Sequence, residues 1–179
     1  LPVVVVALTT ADDAPELALH AFAWREAFVV ESSVGAADHL VEAVGRAAAK
    51  TPLPIIVDFN GAGKEALDWL HIVAETTQRA GVPVVLNEVS YGYLGELITV
   101  MQEYPTVYAA IRWLCLADGL EVLVEAGVEQ QLLYGSNAPK YSITGLRNQV
   151  LMARISEAQK QAILGGNALR LLGKDIEEL

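Results

Sequence analysis

Leu132-Leu133-Tyr134-Gly135-Ser136-Asn137-Ala138-Pro139 is the stretch whose reading decides the fold. Two leucines and a tyrosine form a short apolar run of the kind a buried strand needs, and Gly-Ser-Asn-Ala-Pro then breaks it into a turn. Downstream, Ile155-Ser156-Glu157-Ala158-Gln159 carries a helix start. Ser156 and Gln159 read as an S-x-x-Q capping box, each satisfying a backbone N–H that a first helical turn leaves unpaired. The helix continues through Ile163-Leu164-Gly165-Gly166-Asn167-Ala168-Leu169-Arg170-Leu171-Leu172, and Gly165-Gly166 is predicted to interrupt or bend it.

Upstream of this unit, strand-like and helix-like segments alternate, which predicts a parallel α/β fold. Candidate strands are Val3–Leu8, Ala27–Glu31, Pro54–Phe59, Val82–Glu88, Val107–Leu114 and Gln131–Gly135. Most are continuous apolar runs, as expected when both faces of a sheet are covered. Between them, Ala36–Lys50 has a period near 3.6 through Leu40, Val41, Val44 and Ala47. Lys64–Ala80 buries Leu67, Leu70, Val73 and Ala74, with Gly81 as its C-terminal cap. Tyr93–Glu103 stops before Pro105, and Asp118–Ala126 stops at Gly127. Ala14-Pro15 opens a helix candidate through Leu17, Leu19 and Trp24.

The 179 residues suffice for one domain with a real core, taken as residues 1–179. Hydrophobic residues make up 53% and mean hydropathy is +0.36, which excludes a disordered chain. No apolar run approaches the roughly 18–20 residues of a membrane span, and Val3-Val4-Val5-Val6 is too short for a signal peptide. A net charge of −10 with scattered basic residues argues against nucleic acid, whose phosphates need Lys and Arg to displace counterions. The single Cys115 excludes an internal disulfide and a thiolate metal cage, reads as a buried thiol, and makes a reducing cytoplasm the expected setting. The chain opens on a strand without an initiator Met, and the step from Arg25-Glu26 into Ala27-Phe28-Val29 is abrupt. Both features point to a sequence shorter than its gene product.

The Leu132–Pro139 stretch and the closing Gly-Gly-Asn helix resemble the C-terminal end of the amidohydrolase-related family of metal-dependent TIM-barrel hydrolases. In that family the last barrel strand reads roughly LLFGSDxP and the closing helix ends in GGNAxxLL. The resemblance covers roughly Pro54 to Leu172 and is most specific from Leu132 onwards. It implies a TIM-barrel-like parallel (β/α) barrel; six βα units do not close eight strands, so either another stretch supplies two more or the barrel is partial. Counting back from Gln131–Gly135 makes Val3–Leu8 the third strand. The family's first strand, with its His-x-His metal pair, is then absent. The implied activity is hydrolysis of a C–N, C–O or C–C bond beside a carboxylate, or decarboxylation, with a divalent metal activating water or polarising the substrate.

In a parallel barrel the chemistry sits at the C-terminal ends of the strands. Those ends here read Asp58-Phe59-Asn60-Gly61, Asn87-Glu88-Val89, Arg112-Trp113 and Ser136-Asn137. Where the family's fifth and sixth strands end in metal-binding histidines, this chain has Asp58 or Phe59, and Asn87 or Glu88. Where the family has a catalytic aspartate, it has Asn137, which is neutral and cannot take a proton from a metal-bound water. His20, His39 and His71 all fall in helical segments and read as surface or packing histidines. What remains is an oxygen-rich set, Asp58, Asn60, Asn87, Glu88 and Asn137. It holds zinc poorly, because zinc prefers imidazole and thiolate, but suits a harder divalent ion. The alternatives are a metal-free ligand pocket, or polar residues that merely cap strand ends and face solvent.

Other motifs are weaker. Asn60-Gly61-Ala62-Gly63-Lys64 fails the phosphate-loop pattern at residues 58 and 65, though its backbone N–H groups could hold an anion. Ser90-Tyr91-Gly92-Tyr93 would floor a pocket beside Glu88 or pack the rim. Arg112 offers a bidentate fork to a substrate carboxylate, or forms a buried salt bridge with Asp58 or Glu88. Lys140-Tyr141 follows the Asn137 turn within reach of a ligand.

Two readings therefore stand. In the first, a divergent hydrolase uses Asp58, Glu88 and Asn137 as catalytic residues, with Asn60, Asn87, Tyr91, Arg112 and Lys140 holding a small-molecule substrate. It works with an oxygen-ligated divalent ion or with carboxylates alone. In the second, a catalytically silent barrel serves as a small-ligand-binding or homo-oligomeric scaffold. The first expects the strand-end residues to converge; the second expects them dispersed, salt-bridged or open to solvent.

Overall fold

The computed structural model describes residues 8–9, 23–27, 54–58, 66–114, 117–136 and 141–173. Within them the parallel strands are β1 (Leu8–Thr9), β2 (Ala23–Ala27), β3 (Ile55–Asp58), β4 (Val84–Asn87), β5 (Val107–Ala110) and β6 (Leu132–Leu133). They form one six-stranded sheet in the order β1-β2-β3-β4-β5-β6. Each connection steps to the neighbouring strand in the same direction. A doubly wound sheet would reverse somewhere, so this is the topology of a (β/α) barrel, present here as a six-strand arc. The register runs Trp24↔Ile55, Ile55↔Val84, Val84↔Val107 and Ala109↔Leu132.

Both faces of the central strands are covered, which explains why they are apolar without alternation. Val84, Val85 and Leu86 are consecutive and all buried. On the helical side lie α1 (Ala66–Ala80), α2 (Leu94–Glu103) and α3 (Gly119–Glu125). Leu70, Val73, Ala74 and Thr77 form the buried stripe of α1, at the spacing that keeps four residues on one helix face. The buried Thr77 hydroxyl donates back to the carbonyls of Val73 and Ala74, so it carries no unmet hydrogen bond. Gly81 ends α1 at φ +66°; its N–H donates to Gln78 O while the Val82 N–H donates to Thr77 O. That pair of bonds is a Schellman motif, and Gly127 ends α3 the same way.

The end of the chain is built around β6. Helices α4 (Ile143–Met152), α5 (Glu157–Gln161) and α6 (Asn167–Leu171) follow it, with a π-helical turn at Ala162–Gly166 between the last two. The Ser156/Gln159 capping box is present at the start of α5. The glycine pair falls within the π turn, which widens the helix and delivers Asn167 beneath the last strand. Asn167 is fully buried, and its Nδ2 donates to Glu129 O and Leu132 O, both at 2.7 Å. The Tyr134 N–H donates to Ile163 O at 3.0 Å, and burial raises the Tyr134 hydroxyl pKa, keeping it protonated to donate to Ile143 O.

The structure corrects three sequence expectations. Of the strand expected at Val3–Leu8 only Leu8 is described, and it lies in β1. The second strand is Ala23–Ala27, displaced upstream of Ala27–Glu31. It carries Trp24, so the helix read from Ala14 does not reach that far. Hydrophobicity drew the strand onto Phe28-Val29, whereas pairing with Ile55–Asp58 selects the preceding five residues. The strand expected at Val107–Leu114 ends at Ala110 and turns into a 3₁₀ helix over Ile111–Trp113. The helix candidate Ala36–Lys50 and Cys115 lie outside the described residues.

Candidate active site

The C-terminal ends of β3, β4, β5 and β6 lie side by side. Asp58 and Asn87 are direct register partners at the ends of β3 and β4. Glu88 follows at once, and its backbone sits at φ +58°, in the left-handed region that a residue with a Cβ adopts at a cost. Such strain persists where the surroundings fix it, and here it turns a carboxylate inward: the Glu88 side chain is 6% exposed. At the end of β5 the 3₁₀ turn does the equivalent for Arg112, whose side chain is 11% exposed. Arg112 Nη1 and Glu88 Oε1 stand 3.7 Å apart.

That separation is an ion pair and not a hydrogen bond, for which the N···O distance would be near 2.9 Å. Nη1 is enclosed and has no hydrogen-bond partner among the described residues. Two aromatic rings surround the guanidinium instead. Its central carbon lies 2.9 Å from the centroid of the Tyr141 ring and 4.7 Å from that of Trp113. The rings meet edge to face at 79° and form a corner around it.

The remaining site candidates divide. Asn87 is half-buried beside Glu88, and Tyr91 is exposed at the start of a 3₁₀ turn over Tyr91–Tyr93 that Ser90 caps. Asn60, Asn137 and Lys140 lie outside the described residues, as does the side chain of Asp58. The structure therefore brings together Glu88, Arg112 and the end of β3. Of the two partners left open for Arg112, Glu88 is the one seen. In the sequence Tyr141 stands out only together with Lys140, as a pair within reach of a ligand. Its place over Arg112 depends on the adjacency of β5 and β6, which no local sequence signal carries.

His71 Nε2 meets Glu96 Oε1 at 3.0 Å across the α1–α2 interface, as a helix-packing histidine should; His20 and His39 lie outside the described residues. Among the described residues no three His, Cys, Asp or Glu side chains gather where a metal could bind. The buried Glu88 carboxylate already faces a guanidinium, whose positive charge opposes a cation in the same place. The described residues by themselves do not assemble the metal site that the family resemblance implies, and the Asp58 side chain, Asn60 and Asn137 lie outside them. No helix among them is long and apolar enough to cross a membrane.

A family model described as Amidohydrolase matches residues 35–174. No curated protein matches the chain. Among solved structures, the TIM-barrel protein Bb4693 from Bordetella bronchiseptica aligns with a TM-score of 0.71 at 19% identity, covering 94% of this chain and 64% of that one. An amidohydrolase-like protein from Staphylococcus aureus aligns with a TM-score of 0.64 at 12% identity, over 88% of this chain and 66% of its own. A 2,6-dihydroxybenzoate decarboxylase from Rhizobium aligns with a TM-score of 0.51 at 14% identity, over 74% of this chain and 55% of that one. The chain thus spans under two thirds of the length of the Bordetella protein. Identities this low establish a shared fold.

Proposed function

The chain belongs to the amidohydrolase family, and from that premise we propose that it is a divergent hydrolase or decarboxylase acting on a small carboxylate-bearing molecule. The observation that carries the reading is the Glu88–Arg112 pair, two opposite charges buried at adjacent strand ends of a barrel. Structural neighbours that decarboxylate 2,6-dihydroxybenzoate support the substrate class. Arg112 presents a planar fork that receives a carboxylate through two parallel N–H···O bonds. Glu88 is the proton-handling group. In hydrolysis its carboxylate takes a proton from water as the water oxygen adds to the substrate carbonyl. In decarboxylation its protonated form donates to the carbon that keeps the electron pair when CO₂ leaves.

Asp58 and Asn137 stand beside Glu88 as catalytic candidates on sequence grounds, with Asn60, Asn87, Tyr91 and Lys140 as substrate contacts. The same ion pair favours a second reading, because a salt-bridged Glu88 is also what a silent binding or homo-oligomeric scaffold would keep. The two separate on one experiment: the full chain is incubated with 2,6-dihydroxybenzoate and with small lactone and amide carboxylates, and products and CO₂ are measured. Turnover that falls by about 10²-fold or more in Glu88→Gln supports the enzyme. Absence of turnover on every compound, with the wild type still binding them, leaves the scaffold.

A further inference from the structure

The Arg112 guanidinium lies against two aromatic rings. Its Nη1 is buried without an acceptor among the described residues, and Glu88 stands too far off to be one. Arginine carries five N–H donors in a rigid plane, so the direction of that plane decides where an anion can sit. Two rings border the guanidinium. Trp113 is the next residue along the chain and follows Arg112 wherever the 3₁₀ turn points it. Tyr141 is independent: it comes from the connection between β6 and α4, one residue before the Ser142 that starts that helix. The face of a ring from one strand-end connection thus lies against a cation from the neighbouring strand end.

We propose that Tyr141 is a positioning residue for this site: its ring face fixes the guanidinium plane of Arg112 so that the donor-bearing edge is turned to the Glu88 side, where a ligand carboxylate is received. The proposal rests on the reading of Arg112 as the carboxylate receptor, and adds the residue that orients it. Trp113, 45% exposed, is the second wall of the corner and gives a bound planar acid an aromatic surface facing solvent. The ring matters through its π face, which attracts the cation and stacks on its plane, and not through its hydroxyl. Phenylalanine therefore serves in place of Tyr141 and leucine does not.

The test uses the full chain as wild type, Tyr141→Phe and Tyr141→Leu, with two readouts. In ¹⁵N-edited NMR, the Nε–H resonance of Arg112, assigned by its loss in Arg112→Lys, reports the ring current of Tyr141 directly. It is expected to keep its upfield position in Tyr141→Phe and to move to the ordinary arginine position in Tyr141→Leu. Benzoate affinity, followed by Trp113 fluorescence with benzamide as neutral control, is expected to stay within about twofold in Tyr141→Phe. It should weaken about tenfold in Tyr141→Leu, the scale of a partly desolvated cation–π contact. Far-UV spectra and melting temperatures confirm that both variants fold. An Arg112 resonance unchanged in Tyr141→Leu overturns the proposal, as does benzoate affinity lost equally in both variants. A wild type that ignores benzoate, with the resonance still moving in Tyr141→Leu, leaves the positioning role standing and sinks the carboxylate reading.

Discussion

A Cβ on Gly135 would stand 2.9 Å from the Cβ of Ala110, closer than two carbons can pack. The glycine of the Leu132–Pro139 stretch is therefore there for space, letting the end of β6 lie against the end of β5. This close approach also brings Tyr141 within reach of Arg112. Gly135→Ala is expected to destabilise the protein by about 1–3 kcal/mol, the range for overpacking a filled site, measured as a shift in the urea midpoint with unchanged slope. A variant as stable as wild type would mean that β5 and β6 can part freely. The sequence showed Gly135 as a turn residue, and its true reason needed the neighbouring strand. Arg112 is a similar case: a charged residue at a strand end was legible as a site candidate, and its pairing with Glu88 was one of two alternatives left open. The αL backbone of Glu88 had no sequence signal at all, since neither glycine nor asparagine marks it.

Helices with local signals were the most legible elements, because caps act within a single turn. Gly81, Gly127 and the Ser156/Gln159 box all lie where the residues alone put them. Strands were less so, since their limits depend on partners distant in sequence: β2 moved by four residues to pair with β3, and β5 stopped at Ala110 where the pairing with β6 runs out. Long-range polar clamps between elements were invisible for the same reason. The Arg154 backbone N–H, just past α4, donates to Glu121 Oε1 at 2.8 Å, while its guanidinium pairs with Asp118 at the start of α3. The hydrogen bond from that N–H is the main cause that lowers the Glu121 pKa below its ordinary value of 4.5, against an opposing push from burial. A carboxyl whose pKa is depressed on folding stabilises the native state above its unfolded pKa and loses that contribution as pH falls through the folded value. The stability of the wild type should accordingly drop below about pH 4.5, and Glu121→Gln should flatten part of that drop while lowering stability at pH 7. Urea denaturation at steps from pH 7 to pH 3 measures both. Parallel pH profiles for the two proteins would remove Glu121 from the acid response.

At the scale of the whole molecule, the alternation of apolar runs and helices was enough to give a parallel α/β fold with six strands in sequence order. A barrel arc of this kind is held by pairings between segments that are remote in the chain, so its stability is unevenly distributed. Strands β3, β4 and β5 are each paired on both sides, and their residues Val57, Leu86 and Ala109 are fully buried. Helix α4 is bound far less: only Leu146 and Val150 are buried along its length, and Ile143, Leu151 and Met152 face outward. Among the described residues its polar ties to the rest include the Tyr134 hydroxyl at one end and the Arg154 clamp just past the other. Native-state hydrogen exchange should therefore divide the chain. Amides of Val57, Leu86 and Ala109 are expected to exchange only by global unfolding, with a denaturant dependence equal to that of the full transition. Amides of α4 should exchange through a local opening whose rate hardly changes with low denaturant. Tyr141 immediately precedes α4, so the opening of that helix frees the ring that orients Arg112. Ligand at the strand ends should then slow exchange in α4 more than in β3–β5 at the same concentration. Equal slowing across both regions would show that the helix and the sheet open as one unit, and would detach α4 from the site.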